Sequence, residues 1–260
     1  MSGFLLKIKR AETPFFRALR HAILGTLRAN VPVPAFLKPP LRLIYEGYYL
    51  CVPAWRWGLA YFVWLPLFRS RCASAGRRIR ISALPFVYGH VEIHLGDDVE
   101  FGGKVDIVSG RFLDRPRLII KDRAGVGLGT LISVNQEVVI EEDAIISVNC
   151  TISDNDGHPK AADLRAKFAP LSARDIKPVR ICRSAWIGRG CHIMKGVTIG
   201  EGAIVGANSV VITDIPAFSL AMGNPAEVYF RNAGRPAGRA SGLRPTNQDG
   251  APGVADSKTD

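Results

Sequence analysis

The sequence predicts a mainly β chain wound as a solenoid of stacked triangular coils, with a helical segment before it and a disordered tail after it. Three observations carry this reading. A branched aliphatic recurs at every sixth position through Ile181, Ile187, Ile193, Ile199, Val205 and Val211. Four positions after each of the first five stands a small or β-branched residue: Ala185, Cys191, Val197, Ala203 and Ser209. The two ends of the chain break this period, the first with aromatic, aliphatic and basic residues, the last with Gly, Pro, Ala, Ser and charge. A six-residue period matches neither an amphipathic helix nor a simple strand; it fits a short strand plus a tight turn, repeated. Three such units close a coil of about 18 residues, and only stacked coils bury a continuous core.

Residues 1–78 read as a helical, basic and aromatic segment. Within 13–30, Phe15, Phe16, Leu19, Ile23, Leu24 and Leu27 fall near helical spacing, with Arg17, Arg20, His21 and Arg28 between them. Residues 48–68 are apolar over a length that could cross a bilayer. Pro53, Arg56 and Pro66 argue against a clean span, and Trp55, Trp57, Tyr61 and Trp64 favour the headgroup level. An in-plane helix or monotopic hairpin is therefore expected, ahead of the other reading, a helical cap on the open end of the solenoid. Charge supports that order. The 260 residues carry a net +11, yet residues 1–80 alone hold 14 Lys and Arg against Glu12 and Glu46. A basic, aromatic segment suits an anionic membrane surface. It carries no nucleic-acid-binding motif, so nucleic acid is not an expected partner.

The same phase runs upstream in blocks: Ile81 and Val87, then Leu95, Phe101 and Ile107, then Ile120, Val126 and Ile132, then Ile140, Ile146 and Ile152. The coils are thus expected over 79–232. Their uneven spacing requires a loop-out at 109–117 and a larger extruded loop at 153–178. Residues 233–260 are too poor in large apolar side chains to order themselves. Five cysteines, an odd number without metal-site or disulfide spacing, read as free thiols in a reducing compartment. The first residues lack a compact apolar run with a cleavage site, so no signal peptide is expected and the cytoplasmic side is the expected location.

Three motifs add chemistry to the repeat. The extruded loop opens with Thr151-Ile-Ser-Asp-Asn-Asp-Gly-His-Pro159; Ala185-Trp-Ile-Gly188 follows it; Gly223-Asn-Pro-Ala226 closes the repeat region. In this order and at these separations they resemble the hexapeptide-repeat, left-handed parallel β-helix acetyltransferases, in the branch of galactoside, maltose and bacterial polysaccharide O-acetyltransferases. The resemblance covers about residues 80–230. It implies transfer of an acetyl group from acetyl-CoA to a sugar hydroxyl, in a homotrimer with active sites between neighbours, and no metal. His158 matches the family's general base. The chemistry is sensible, because a sugar hydroxyl is a poor nucleophile and an imidazole can take its proton. Asp154, Asn155, Asp156 and Arg165 are candidate acceptor-binding residues, and Lys160, Lys167 and Arg174 add positive charge to the same loop. The family's coenzyme groove maps onto Trp186, Gly206, Ala207, Asn208, Asn224 and Pro225. The family often carries a Lys in the turn that here reads Ile212-Thr213-Asp214, so the contact with the coenzyme phosphates is expected either to be absent or to come from Arg231 or the basic tail. An Asn that the sugar acetyltransferases keep one coil before the histidine is also missing from Gly125-Val-Gly-Leu-Gly129, which points to a different acceptor, a sugar or lipid-linked glycan.

Other solenoid functions fit less well. A γ-type carbonic anhydrase would need three metal-binding histidines, and His90, His94 and His192 do not suit stacked coils. A nucleotidyltransferase would need a Gly-rich nucleotide-binding domain, which residues 1–75 do not offer. A serine acetyltransferase would carry a different catalytic loop. A non-enzymatic scaffold or membrane-associated interaction protein would leave the histidine loop unexplained.

Overall fold

Every aliphatic of the six-residue phase from Ile181 to Val211 is buried, as are Ala185, Cys191, Val197, Ala203 and Ser209 at the small positions. In this computed structural model, which describes residues 3–10, 13–28, 33–110 and 115–231, the phase builds three flat faces of a prism. The first face stacks Ser74–Ala75, Glu92–Leu95, Arg117–Ile120, Glu137–Ile140, Val179–Ile181 and Thr198–Ile199. The second begins with Arg80–Ile81 and runs through Gly125–Val126 and Trp186–Ile187 to Ile204–Val205. The third runs from Phe86–Tyr88 through Thr151–Ser153 and His192–Ile193 to Val210–Val211. Pairing between coils is parallel throughout, and the fold is a left-handed parallel β-helix. Leu95, Ile120, Ile140, Ile181 and Ile199 are register partners despite their unequal separations in sequence. The extra residues fall between Val108 and Arg117, where 111–114 lie outside the described residues, and in a loop at 154–178.

The corners explain the short polar residues between the aliphatics. Arg78, Asp98, Arg123, Asp143 and Ser184 take positive φ at one corner on successive coils. Arg78 pairs with Asp98 and Arg123 with Asp143, so the stacked corner alternates in charge. These partners hold the Asp98 and Asp143 carboxyls below the usual carboxylate range, chiefly by hydrogen bonding. Gly188 has ordinary φ but no room: an added Cβ would lie 2.7 Å from the Ala207 amide nitrogen and the Val205 carbonyl oxygen. Two coils approach there as closely as backbones can.

The chain divides into two units, residues 1–55 and 56–260. The first is helical, with α1 (Gly3–Arg10), α2 (Pro14–Arg28) and most of α3 (Lys38–Leu59). The helix carries on through a wide turn at Ala60–Trp64 into α4 (Leu65–Arg71), so 48–68 forms no hairpin. Among the described residues no helix is long and apolar enough to cross a membrane. The capping alternative describes the inner side of 60–68: Ala60 and Phe68 are buried, and the Phe68 ring meets Phe101 of the core edge-on at 5.4 Å. Trp57, Tyr61, Phe62 and Leu67 remain exposed. The first coil strand starts at Ser74, inside the expected 1–78 segment, because Arg69 and Arg71 already bond coil carbonyls at Ala75, Gly76, Gly89 and Val91. One element was not anticipated: Ser219–Gly223 and Ala226–Arg231 form an antiparallel hairpin that closes the second face. The tail expected to be disordered, 233–260, lies outside the described residues.

Candidate active site

The extruded loop leaves the third face after Ser153 and rejoins the first face at Val179. Its neck is built from backbone. The Lys177 amide donates to the Asp154 carbonyl at 2.8 Å, and Asn155 and Ile176 form an isolated antiparallel bridge. Asp154 is fully buried, and its carboxylate accepts from the amides of Asn135, Gln136 and Glu137 at 2.6–2.9 Å and from the Asn155 side chain at 2.9 Å. Burial pushes this carboxyl above the usual range, against the pull of four donors. Asn155 is buried too. Its amide nitrogen donates to Ser133 Oγ at 3.0 Å, and its oxygen accepts from the Gly157 amide at 2.9 Å.

These contacts correct two expectations. Asp154 and Asn155 have no surface to offer an acceptor; they are spent on fixing the loop to the previous coil. Asp156 is exposed at the neck and pairs with Lys195 at 2.6 Å. Gly157 then turns the chain with φ +75°, and His158 stands exposed beyond it, ahead of a buried Pro159. Arg165, expected to bind the acceptor, donates to the carbonyls of Pro159 and Lys160 and so folds the loop onto itself around the short helix Ala162–Ala166. Lys160, Lys167 and Arg174 are exposed.

The residues expected to hold a coenzyme gather along the edge between the second and third faces. Gly206, Ala207 and Asn208 form one corner, with Asn208 at φ +58° and its amide bonded to the Arg189 carbonyl of the coil before. Asn224 and Pro225 form the tip of the closing hairpin one coil further, where the Gly223 amide donates to Ser209 Oγ at 3.1 Å. Ala207, Asn208, Asn224 and Pro225 are exposed. Trp186 lies on the adjoining second face between Ile145 and Ile204, half-exposed, and donates from Nε1 to Ser147 Oγ at 3.3 Å. Arg231 is exposed at the end of the hairpin. Gly206 serves packing, since a Cβ there would lie 2.8 Å from Met222 Cβ. The histidine loop and this edge therefore flank the third face, separated by strands of two or three residues, about 10 Å.

Two partners of the site escaped sequence reasoning. Ser147 and Lys195 each lie 39 residues from the side chain they bind, and only the coil register brings them there. Among the described residues no three His, Cys, Asp or Glu gather as metal ligands, and His94 and His192 sit on different faces.

Comparison with known proteins agrees with this architecture. The family model of the bacterial transferase hexapeptide (six repeats) matches residues 178–213. A Staphylococcus aureus (strain COL) protein provisionally named an acetyltransferase is 51% identical over 51 residues, 20% of this chain and 26% of its own length. Another provisionally named acetyltransferase, from Mycobacterium tuberculosis (strain ATCC 25618 / H37Rv), is 28% identical over 155 residues, 59% of this chain and 48% of its own length. The matches thus span a quarter to a half of these curated relatives. Among solved structures, a variant of AntD, an N-acyltransferase from Bacillus cereus in complex with dTDP-4-amino-4,6-dideoxyglucose and coenzyme A, is similar with a TM-score of 0.53 and 17% identity, over 64% of this chain and 87% of that one. The chain is a left-handed β-helix that carries the bacterial transferase hexapeptide repeat and shares its fold with hexapeptide-repeat acyltransferases.

Proposed function

We propose that this chain is an acetyl-CoA-dependent O-acetyltransferase that acts on a sugar hydroxyl, with His158 as general base. The observation that carries the proposal is the histidine loop: an exposed His158 on a neck fixed by the buried Asp154 carboxylate and by Asn155. A solenoid without chemistry has no use for an exposed histidine on so firmly fixed a neck. Acetyl-CoA supplies a thioester already activated for acyl transfer. The ledge of Ala207, Asn208, Asn224 and Pro225, with Trp186 beside it, is an extended, exposed edge suited to a long coenzyme.

The steps assigned to this chain are few. His158 takes the acceptor proton as the hydroxyl oxygen attacks the thioester carbonyl, and the imidazolium returns it to the departing thiolate. Backbone amides of the nearby turns stabilise the oxyanion, and no covalent enzyme intermediate is needed. The reading includes a homotrimer: the loop and the ledge of one chain lie on opposite edges of its third face, and a neighbouring copy would bring a second loop to each ledge. The acceptor is a sugar of bacterial polysaccharide or glycolipid assembly, lipid-linked and met at the cytoplasmic face of the membrane. The basic first 80 residues and the exposed Trp57, Tyr61, Phe62 and Leu67 support that location.

Thiol release from acetyl-CoA, measured with free sugars, nucleotide sugars and lipid extracts, tests the proposal. Wild type is expected to turn over with at least one acceptor, and His158→Ala to lose at least about 10²-fold. A chain that does not bind coenzyme A at all would leave the scaffold reading in place.

A further inference from the structure

Lys195 belongs to neither the coenzyme ledge nor the histidine loop, yet it joins the two ends of that loop. It sits at the corner after His192–Ile193, one coil beyond the strand from which the loop departs. Its Nζ donates to Asp156 Oδ2 at 2.6 Å on the outgoing limb and to the Asp175 carbonyl at 2.6 Å on the returning limb. The lysine side chain is 14% exposed and that of Asp156 25%, so solvent and salt weaken the pair less than an open surface pair.

His158 follows Asp156 by two residues, across Gly157. An added Cβ at Gly157 would meet nothing within 4 Å, and its φ of +75° is one of several conformations open to glycine. Free of restraint on either side, this joint would let the imidazole swing. It is restrained at the Gly157 amide by Asn155 and one residue earlier by Lys195 through Asp156. We propose that Lys195 is a positioning residue: it acts through Asp156 to hold His158 in its reactive orientation, and through Asp175 to keep the loop from opening. This rests on the general-base reading of His158.

The test uses the full-length chain and Lys195→Met, which keeps the stem and removes the charge. A displacement near 1 Å at a reacting group can cost about 10²-fold. Lys195→Met is expected to lower kcat by one to two orders of magnitude, about 10–10²-fold, while KM for acetyl-CoA stays within about twofold, because Lys195 bonds Asp156 and Asp175 and none of the ledge residues. Amide exchange across 156–175 should quicken while the melting temperature holds, since the buried core is untouched. Lys195→Arg, which can still reach both acceptors, should recover most of the rate. An active wild type, an inactive His158→Ala and a Lys195→Met with wild-type kcat would sink the positioning role alone. A loss in Lys195→Met that raises KM, lowers the melting temperature and is not recovered by arginine would also overturn it. A wild type that transfers to no acceptor defeats the reading beneath it instead.

Discussion

At the scale of single residues, the candidate site rests on buried polar groups that fix its loop. Asp154 is the clearest case. A carboxylate placed to accept from the amides of residues 135–137 closes the turn of one coil while anchoring the loop of the next. Asp154→Asn keeps the shape but turns an amino group toward donors, leaving at least one buried N–H without an acceptor. The expected cost is about 2–3 kcal/mol, seen as a lower urea midpoint at unchanged slope. If Asp154 were instead an acceptor-binding residue, the same change would leave the midpoint unmoved and raise KM. The motif Asp-Asn-Asp-Gly-His was legible in the sequence; the division of labour within it was not. The first two residues build, the third is tied by Lys195, and only the last is free, because the Asn135 turn and the Lys195 corner reach the loop through coil register rather than local sequence.

At the scale of elements, the repeat was legible because burial enforces it. Each coil must present the same inward residue above the last, so Ile181 to Val211 announce the faces with no help from composition. Glycine roles were less legible. Gly125 and Gly188 look alike in sequence, each beside a core aliphatic, but their surroundings differ. An added Cβ at Gly125 meets nothing within 4 Å and would point into an open cleft of about 610 Å³ on the second face. At Gly188 it would strike the backbone of the next coil at 2.7 Å, and that backbone cannot yield without parting two coils. Gly125→Ala is therefore expected to change stability by no more than about 0.5 kcal/mol. Gly188→Ala should cost about 1–3 kcal/mol and, because it pushes on Ala207, also raise KM for acetyl-CoA. Equal effects of the two substitutions on the denaturation midpoint would contradict this account of the coil contact. The closing hairpin is less legible for a related reason: Gly223-Asn-Pro-Ala226 carries both a ligand-like motif and the turn residues that reverse the chain, and the six-residue period does not mark the reversal.

At the scale of the whole molecule, charge and apolar exposure are concentrated at the start of the chain. Residues 1–71, ahead of the coils, carry 11 Lys and Arg against two acids, whereas the coils alternate charge in ladders such as Arg78–Asp98 and Arg123–Asp143 and neutralise themselves. The helix that closes the core adds Trp57, Tyr61, Phe62 and Leu67, exposed on the side not used for packing. Two different forces are then available to a membrane contact. Electrostatic attraction to anionic headgroups is worth up to about 1 kcal/mol per basic residue near the surface and fades as salt shortens the screening length. Insertion of aromatic and aliphatic side chains does not fade. Co-sedimentation with vesicles of phosphatidylglycerol and phosphatidylcholine should therefore be strong at low salt, fall as salt rises, and level off at a residue of binding. A Trp57→Ser, Phe62→Ser double variant should lose that salt-resistant part and keep the salt-sensitive one, since no charge has changed. Binding that vanishes completely in salt for the wild type would assign the contact to charge alone and leave the exposed aromatics to another partner. An absence of binding even at low salt would remove the membrane from the proposal and, with it, the argument for a lipid-linked acceptor over a soluble one.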